Sequence, residues 1–499
     1  MTKKIKKSKH LSRHLKKRKQ NAPVHGAPSS QSILQQAVSL HQAGHLREAD
    51  ALYRQILLAE PDQPDALHYL GMLAHQAGRS EIAVELIRKA LKNKPDYVNA
   101  YNNLGIVLHD QGKLDEAVKS FRRALGLKPD YAEVHYNLGN GLKDQGKLDE
   151  AVASYRRALN LKPGYAEAYN NLGVIFHDQA KLEQAVYSFR QALSLKPDYT
   201  EAHYNLGNIL KDQGWIAKAV ASYQRVLSLE PDHVDALNNL GSVLRDQGRL
   251  EEAVDIFNKA IKLKPDFARL YNNLGNIFKD QNKLDEAISS YQQALSLEPN
   301  CVEVHNNLGN ILKDQGRLEE AAASYRQALK YNPYFFEAHS NLLLCLNYLS
   351  DQSVPDYLDE VRDFGLKAAD KATNHYRDWK CAMKPKRLLV GMMAGHFFNH
   401  PVGYFLENML KHIDPENIQL VAYSTHHRED DLTERIRPRF ASWKSLVGMS
   451  DEAAAKLIHD DQINILLDLS GHTVYNRLPI FAWKPAPVQA SWLGYFAST

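Results

Sequence analysis

The sequence predicts an all-α helical-repeat superhelix followed by a partial α/β Rossmann-like lobe. Two patterns carry this. Nine prolines (Pro61, Pro95, Pro129, Pro163, Pro197, Pro231, Pro265, Pro299 and Pro333) stand 34 residues apart, and a fixed period of that length marks a repeat array. From Arg387 onward the period is lost, and short apolar runs of strand length alternate with helical segments. A chain of 499 residues suits an array with an appendage better than one compact core. The organisation expected is a basic tail over 1–29, repeats over 30–349 (nine 34-residue units and a capping helix), a helical linker over 350–386 and a partial lobe over 387–499.

The tail holds ten Lys and Arg between Lys3 and Lys19 and no acid, which leaves 52 basic against 58 acidic residues in the body. That balance argues against a nucleic-acid-binding body. The tail itself reads as a solvated disordered arm or as an electrostatic contact with nucleic acid or an anionic surface. It lacks the apolar stretch of a secretory signal, and no run in the chain approaches the ~18 apolar residues of a membrane span. Cys301, Cys345 and Cys381 are too few and scattered for a disulfide framework. A reducing, cytoplasmic setting is expected.

Numbering each unit so that its proline is position 32, position 8 is Gly in eight of nine units (Gly71 to Gly309, with Ala37 first). Position 20 is Ala in all nine, and position 24 is aromatic in eight, Ile87 being the exception. Small residues at 8 and 20 let two helices approach while the aromatic fills the gap, and the proline stops the second helix. Turn residues such as Asp110-Gln111-Gly112-Lys113 supply the positive φ of a helix C-cap. Each unit is thus a helix-turn-helix pair that must stack on neighbours to bury its apolar face. The pattern resembles the tetratricopeptide repeat, which implies a right-handed superhelix.

Positions 2, 6, 9 and 13 of each first helix share one face, and in most units that face is polar. Position 6 is Asn eight times in succession: Asn103, Asn137, Asn171, Asn205, Asn239, Asn273, Asn307 and Asn341. Position 13 is Asp in seven units, among them Asp144, Asp212, Asp246, Asp280 and Asp314. Asn is a mediocre helix former, but its carboxamide both donates and accepts, as pairing with an extended peptide backbone requires. The competing explanation is recent duplication, which copies everything. Position 9 drifts (Ile106, Asn140, Val174, Ser242) while position 6 does not, and this favours a peptide-binding ladder.

In the appendage, Arg387–Ala394, Ile418–Thr425, Trp443–Val447, Ile463–Leu469 and Val488–Leu493 read as strands. Val402–Ile413, Asp430–Phe440 and a segment opened by the N-cap Ser450 read as helices. Alternation implies a parallel sheet, whose ligands sit beyond the carboxyl ends of the strands. Two of those loops carry histidines: Asn399-His400-Pro401 after the first strand, and Gly471-His472-Thr473 after the buried strand. No third ligand is spaced to join the two histidines in a zinc site, so no metal is expected.

Together with the repeats, NHPVGYFLE (399–407), ILLDLSGHT (465–473) and KPAPVQASWLGY (484–495) resemble the bacterial protein O-linked N-acetylglucosamine transferases. The lobe then corresponds to the first lobe of a glycosyltransferase B-type fold. The resemblance implies inverting transfer of N-acetylglucosamine from UDP-GlcNAc, as donor substrate and without a further cofactor, to Ser or Thr of polypeptides held along the superhelix. It implies catalytic roles for His400 first and His472 second, cleft-loop roles for Asn399, Pro401, Gly471, Thr473, Gly494 and Tyr495, and a peptide ladder of Asn103 to Asn341. His396 and Phe398 depart from the family, which usually has an acidic and a polar residue there. The second-lobe groups that hold uridine and pyrophosphate find no counterpart in the 499 residues. A partial donor site is therefore expected, with a possible homo-oligomer, and the alternative reading is a non-catalytic tetratricopeptide scaffold that captures peptides.

Overall fold

A computed structural model describes residues 29–349, 353–382 and 385–493. The basic tail up to residue 28 and the cleft-loop candidates Gly494 and Tyr495 lie outside the described residues. The chain divides into two compact units, one ending at Glu230 and the other beginning at Pro231.

The first unit is made of helical hairpins from Ser30–Gln42 to Ile216–Leu229. A representative pair is Val98–Asp110 and Leu114–Leu127, of 13 and 14 residues. Gly105 is required by contact: a Cβ there would stand 2.4 Å from the Phe121 ring. Gly112 closes the first helix with φ 72°, and the position-20 alanines are fully buried. The second unit repeats the same hairpin from Val234–Asp246 to Leu318–Tyr331, and Phe336–Leu346 packs on the last pair.

Positions 9 and 24 are chemically coupled. Where position 24 is Tyr, its buried hydroxyl donates to an Asn at position 9: Tyr155 to Asn140 at 2.6 Å, Tyr223 to Asn208 at 2.8 Å, Tyr291 to Asn276 at 2.7 Å and Tyr325 to Asn310 at 2.8 Å. Where position 24 is Phe (Phe121, Phe189, Phe257), position 9 is Ile106, Val174 or Ser242. Tyr53 follows Val38 and finds His41 instead, at 3.3 Å. The drift at position 9 is therefore not free variation, and it loses force as a foil for the constancy of position 6. Asn310→Val should cost about 1–3 kcal/mol by stranding the Tyr325 hydroxyl. Adding Tyr325→Phe, which reproduces the Val174/Phe189 pair, should recover most of that loss in the urea midpoint.

The lobe of the second unit is a five-stranded parallel sheet of order β3-β2-β1-β4-β5, with β1 Leu388–Ala394, β2 Ile418–Ser424, β3 Ser442–Ser445, β4 Ile465–Asp468 and β5 Val488–Ser491. The order reverses at β1, so the crevice between the carboxyl ends of β1 and β4 is the switch point where such sheets bind ligands. Apolar side chains pack on both faces, around Leu406, Ala422 and Leu432 on one and Ile458, Leu466 and Ile480 on the other. The polar helix expected over Asp430–Phe440 is a short helix, Asp431–Ile436, followed by a 3-10 turn at Arg437–Arg439, because Pro438 cannot continue an α-helix. In the segment between repeats and lobe, helix Val354–Lys371 is capped by Ser353. The chain after it runs along the lobe: Tyr376 N donates to Trp483 O (2.8 Å) and Trp379 Nε1 to Lys484 O (3.0 Å).

Candidate functional site

Three loops meet at the switch point. After β1, the chain passes Gly395 and His396 and enters helix Pro401–Leu410, whose N-cap is His400. Extended backbone at His400 turns its Nδ1 onto the Val402 N–H, 3.3 Å away. A nitrogen that accepts carries the lone pair, so neutral His400 bears its hydrogen on Nε2. His400 thus presents a hydrogen-bond donor, and burial holds its imidazole below the usual histidine range. Asn399 faces elsewhere: its backbone N–H donates to Asp430 at 2.8 Å and its Nδ2 to Asp431 at 2.6 Å. It ties the loop to helix Asp431–Ile436.

His396 stacks on His400 with centroids 4.1 Å apart. It is 2% exposed, and its Nδ1 has no hydrogen-bond partner. Burial, helped by the neighbouring His400 and His426, pushes its pKa down to about 4, so it is neutral at pH 7. The β2 loop adds His426 and His427, stacked at 4.5 Å, and Arg428 over the Phe398 ring at 4.6 Å. Tyr475 from the β4 loop stacks on His426 at 4.0 Å. His426, His427 and Tyr475 are absent from the sequence-based candidates. The strand-end rule that flagged His400 applies equally to His426-His427, directly behind β2.

The β4 loop is built on Asp468, which is almost fully buried and accepts from Gly471 N (2.7 Å), Ser470 N (3.1 Å) and Ser491 Oγ (2.9 Å). Gly471 has φ 55°, and Thr473 Oγ1 donates to Ser470 O at 2.7 Å. His472 lines a cavity with Phe364, Asp468, Gln489 and Ser491, in whose lining His400 has no part. His472 is 1% exposed, its Nδ1 is 3.1 Å from Ser340 Oγ on helix Phe336–Leu346, and it packs edge-on against Phe364 at 4.9 Å. Its imidazole lies at the seam between the last repeat helix and the lobe. Beside that seam lies a cavity of about 600 Å³, lined from the repeat side by Lys279, Asn310, Lys313 and Asn341 and from the lobe by Thr473 and Tyr475.

The ladder asparagines are hydrogen-bonded from unit to unit. Asn137 Nδ2 donates to Asn102 (2.9 Å), Asn171 to Asn140 (2.9 Å), Asn205 to Asn170 (3.3 Å), Asn273 to Asn238 (2.9 Å), Asn307 to Asn272 (3.2 Å) and Asn341 to Asn306 (2.9 Å). Asn103 Nδ2 donates to His68 Nε2 at 2.8 Å. Each of these carboxamides commits at least one donor to stacking, and Asn103 Oδ1 also accepts from Asn102 Nδ2 at 3.3 Å. Position 13 forms a second set of rungs: Asp144 meets His109 at 2.7 Å, Asp212 meets His177 at 3.5 Å and Asp280 meets Arg245 at 2.5 Å. Asp314 pairs with Lys313 on its own helix at 3.3 Å, and Asp246 enters no ion pair among the described residues. His339, Glu360 and Asp363 bring three ligand-type atoms within 4.8 Å of one another. Arg326 and Lys367 already neutralise those two carboxylates.

The class defined by this geometry is a helical-repeat protein joined to a parallel α/β lobe. Residues 34–97, 86–119 and 107–143 match tetratricopeptide repeat profiles, and 130–341 match the C-terminal domain of cilia and flagella-associated protein 70. The chain carries tetratricopeptide repeats joined to a glycosyl transferase family 41 region, matched over 366–499. A probable UDP-N-acetylglucosamine–peptide N-acetylglucosaminyltransferase SPINDLY of Solanum lycopersicum is 32% identical over 158 residues, 31% of this chain and 17% of the relative. Its counterpart in Hordeum vulgare is 34% identical over 160 residues, again 31% and 17%. The chain thus spans 17% of the length of these curated relatives. A mutant of the Thermobaculum terrenum O-GlcNAc transferase is 29% identical with a TM-score of 0.47, over 52% of this chain and 50% of that one. No helix among the described residues is long and apolar enough to cross a membrane.

Proposed function

We propose that this protein serves the transfer of N-acetylglucosamine from UDP-GlcNAc to Ser or Thr hydroxyls, with the repeats holding the acceptor polypeptide and the switch-point crevice receiving the hydroxyl. The observation that carries the reading is the cavity where ladder residue Asn341, repeat residue Asn310 and Tyr475 of the β4 loop line one space, beside a lobe that matches glycosyl transferase family 41. In an inverting transfer the hydroxyl oxygen bonds to the anomeric carbon as the opposite bond to the diphosphate of UDP breaks, and the hydroxyl proton leaves to the departing diphosphate or to solvent. A fixed donor in the crevice orients the oxygens that exchange charge in that step. The His400 Nε2–H is that donor, held by the Val402 cap, and His472 positions the β4 loop through Ser340. The ladder offers Oδ1 atoms to peptide N–H groups, independent of side-chain sequence.

The test of the holding step is replacement of Asn103, Asn137, Asn171 and Asn205 together by Ala. Peptide affinity should fall at least tenfold. Each lost inter-unit bond also costs about 1 kcal/mol, so the unfolding midpoint drops as well. Asn102→Ala with Asn170→Ala separates the two effects, since both residues are buried behind the ladder, where they accept from Asn137 and Asn205 and donate to Asn103 and Glu201. That control should lower the midpoint and keep the affinity. If both sets weaken binding equally, the carboxamides matter for stacking alone.

A further inference from the structure

Tyr475 enters the scheme above only as a residue of the cavity lining, yet it is held in a strained backbone conformation. Its φ is 63°, in the left-handed region that bulky residues avoid. Such strain persists where the surroundings over-determine it, and here they do. Thr425 Oγ1 donates to its carbonyl at 2.6 Å, and its ring stacks on His426 at 4.0 Å. Across from it, Gly395 leaves no spare room, since a Cβ there would stand 2.4 Å from the Tyr475 Cβ. The residue is 44% exposed, so burial of the ring does not repay the strain.

The ring stands between a cavity and a buried imidazole. On one side it lines the cavity shared with Asn310, Asn341, Lys313 and Leu344. On the other its centroid is 6.0 Å from that of His396, whose Nδ1 is buried without a partner. A buried, unpartnered imidazole nitrogen thus lies behind an exposed, strained aromatic.

We propose that Tyr475 is the specificity-determining residue of the acceptor side: its ring walls the cavity at the end of the repeats off from the imidazole crevice and admits extended polypeptide with small side chains (Gly, Ala, Ser) beside the acceptor hydroxyl. The word acceptor rests on the transferase reading; the wall does not. An arriving segment has to pass the edge of a ring that His426 and Thr425 hold in place, and a branched or aromatic neighbour of the hydroxyl collides with it.

The test uses the full chain and two variants that tolerate a positive φ, Tyr475→Gly and Tyr475→Asn. Both are expected to fold with an unfolding midpoint at or above that of the parent. The first readout is acylation of histidines by diethyl pyrocarbonate, mapped by mass spectrometry. His396 should resist in the parent and react at least tenfold faster in both variants. The second readout is calorimetric affinity for two peptides that differ only in the residue preceding a serine, Ala or Trp. The parent should prefer the Ala peptide at least tenfold, and the variants should bring the two within about twofold. Unchanged His396 reactivity, or an unchanged Ala-to-Trp ratio, overturns the proposal. Absence of sugar transfer with both readouts as expected counts against the transferase reading and leaves the wall standing.

Discussion

His400→Asn is expected to lower sugar transfer about 100-fold while peptide affinity stays within about twofold of the parent. The choice of Asn matters. His400 caps helix Pro401–Leu410 by accepting from Val402 N, and Asn is among the best residues for that task, whereas Ala costs about 1 kcal/mol of cap. What Asn removes is the Nε2–H that the cap points away from the helix. Losing one preorganised donor at a site of developing charge costs on the order of 10²–10³ in rate. The loss should appear in kcat, and the stability of the lobe should be nearly unchanged. Transfer that survives His400→Asn undiminished removes His400 from the chemistry.

Acidification should destabilise both units between pH 6.5 and pH 4. Burial, with Lys94 nearby, pulls His68 down to about 4 despite Asp65, and His396 is pulled down to about 4 as well. Both folded values lie below the unfolded value near 6.5, so the unfolded chain binds more protons in that window. Stability is complete above pH 6.5 and is lost as pH falls through it, by about 3 kcal/mol per histidine once both states are protonated. At His68 the hydrogen bonds show why. Nε2 accepts from Asn103 Nδ2 at 2.8 Å, and Nδ1 lies 3.0 Å from the Tyr97 hydroxyl. A proton on Nε2 would set two donors against each other. His68→Gln should flatten the pH dependence of the first unit's urea midpoint, and His396→Gln that of the second. A slope that persists in both variants assigns the acid sensitivity to other groups.

The repeat frame was legible in the sequence because its determinants are local and recur. Gly at position 8, Ala at 20 and Pro at 32 each answer one steric demand. The pairing of Tyr155 with Asn140 was also present in the sequence, yet it looked like drift, because positions 9 and 24 meet only when the two helices pack. In the lobe the apolar runs marked β1 and β2, whose interiors are buried on both faces, and β4, where half-buried and buried residues alternate. At Asp430–Phe440 a single polar segment hid a short helix and a 3-10 turn set by Pro438. On the strand-end loops, sequence treats His400 and His472 alike. What separates them is Ser340, 132 residues from His472, and no local pattern carries that contact. Tyr475 escaped notice for the same reason: its strain comes from Gly395, Thr425 and His426, which belong to two other loops.

The most direct measurement of the central claim is a calorimetric titration of the 499-residue chain with UDP-GlcNAc in the presence of a Ser/Thr-rich peptide, with the peptide mass recorded afterwards. The proposed function predicts micromolar binding and a mass gain of one N-acetylhexosamine on the peptide. Peptide capture with neither nucleotide-sugar binding nor a mass gain would contradict it and leave a peptide-binding repeat scaffold.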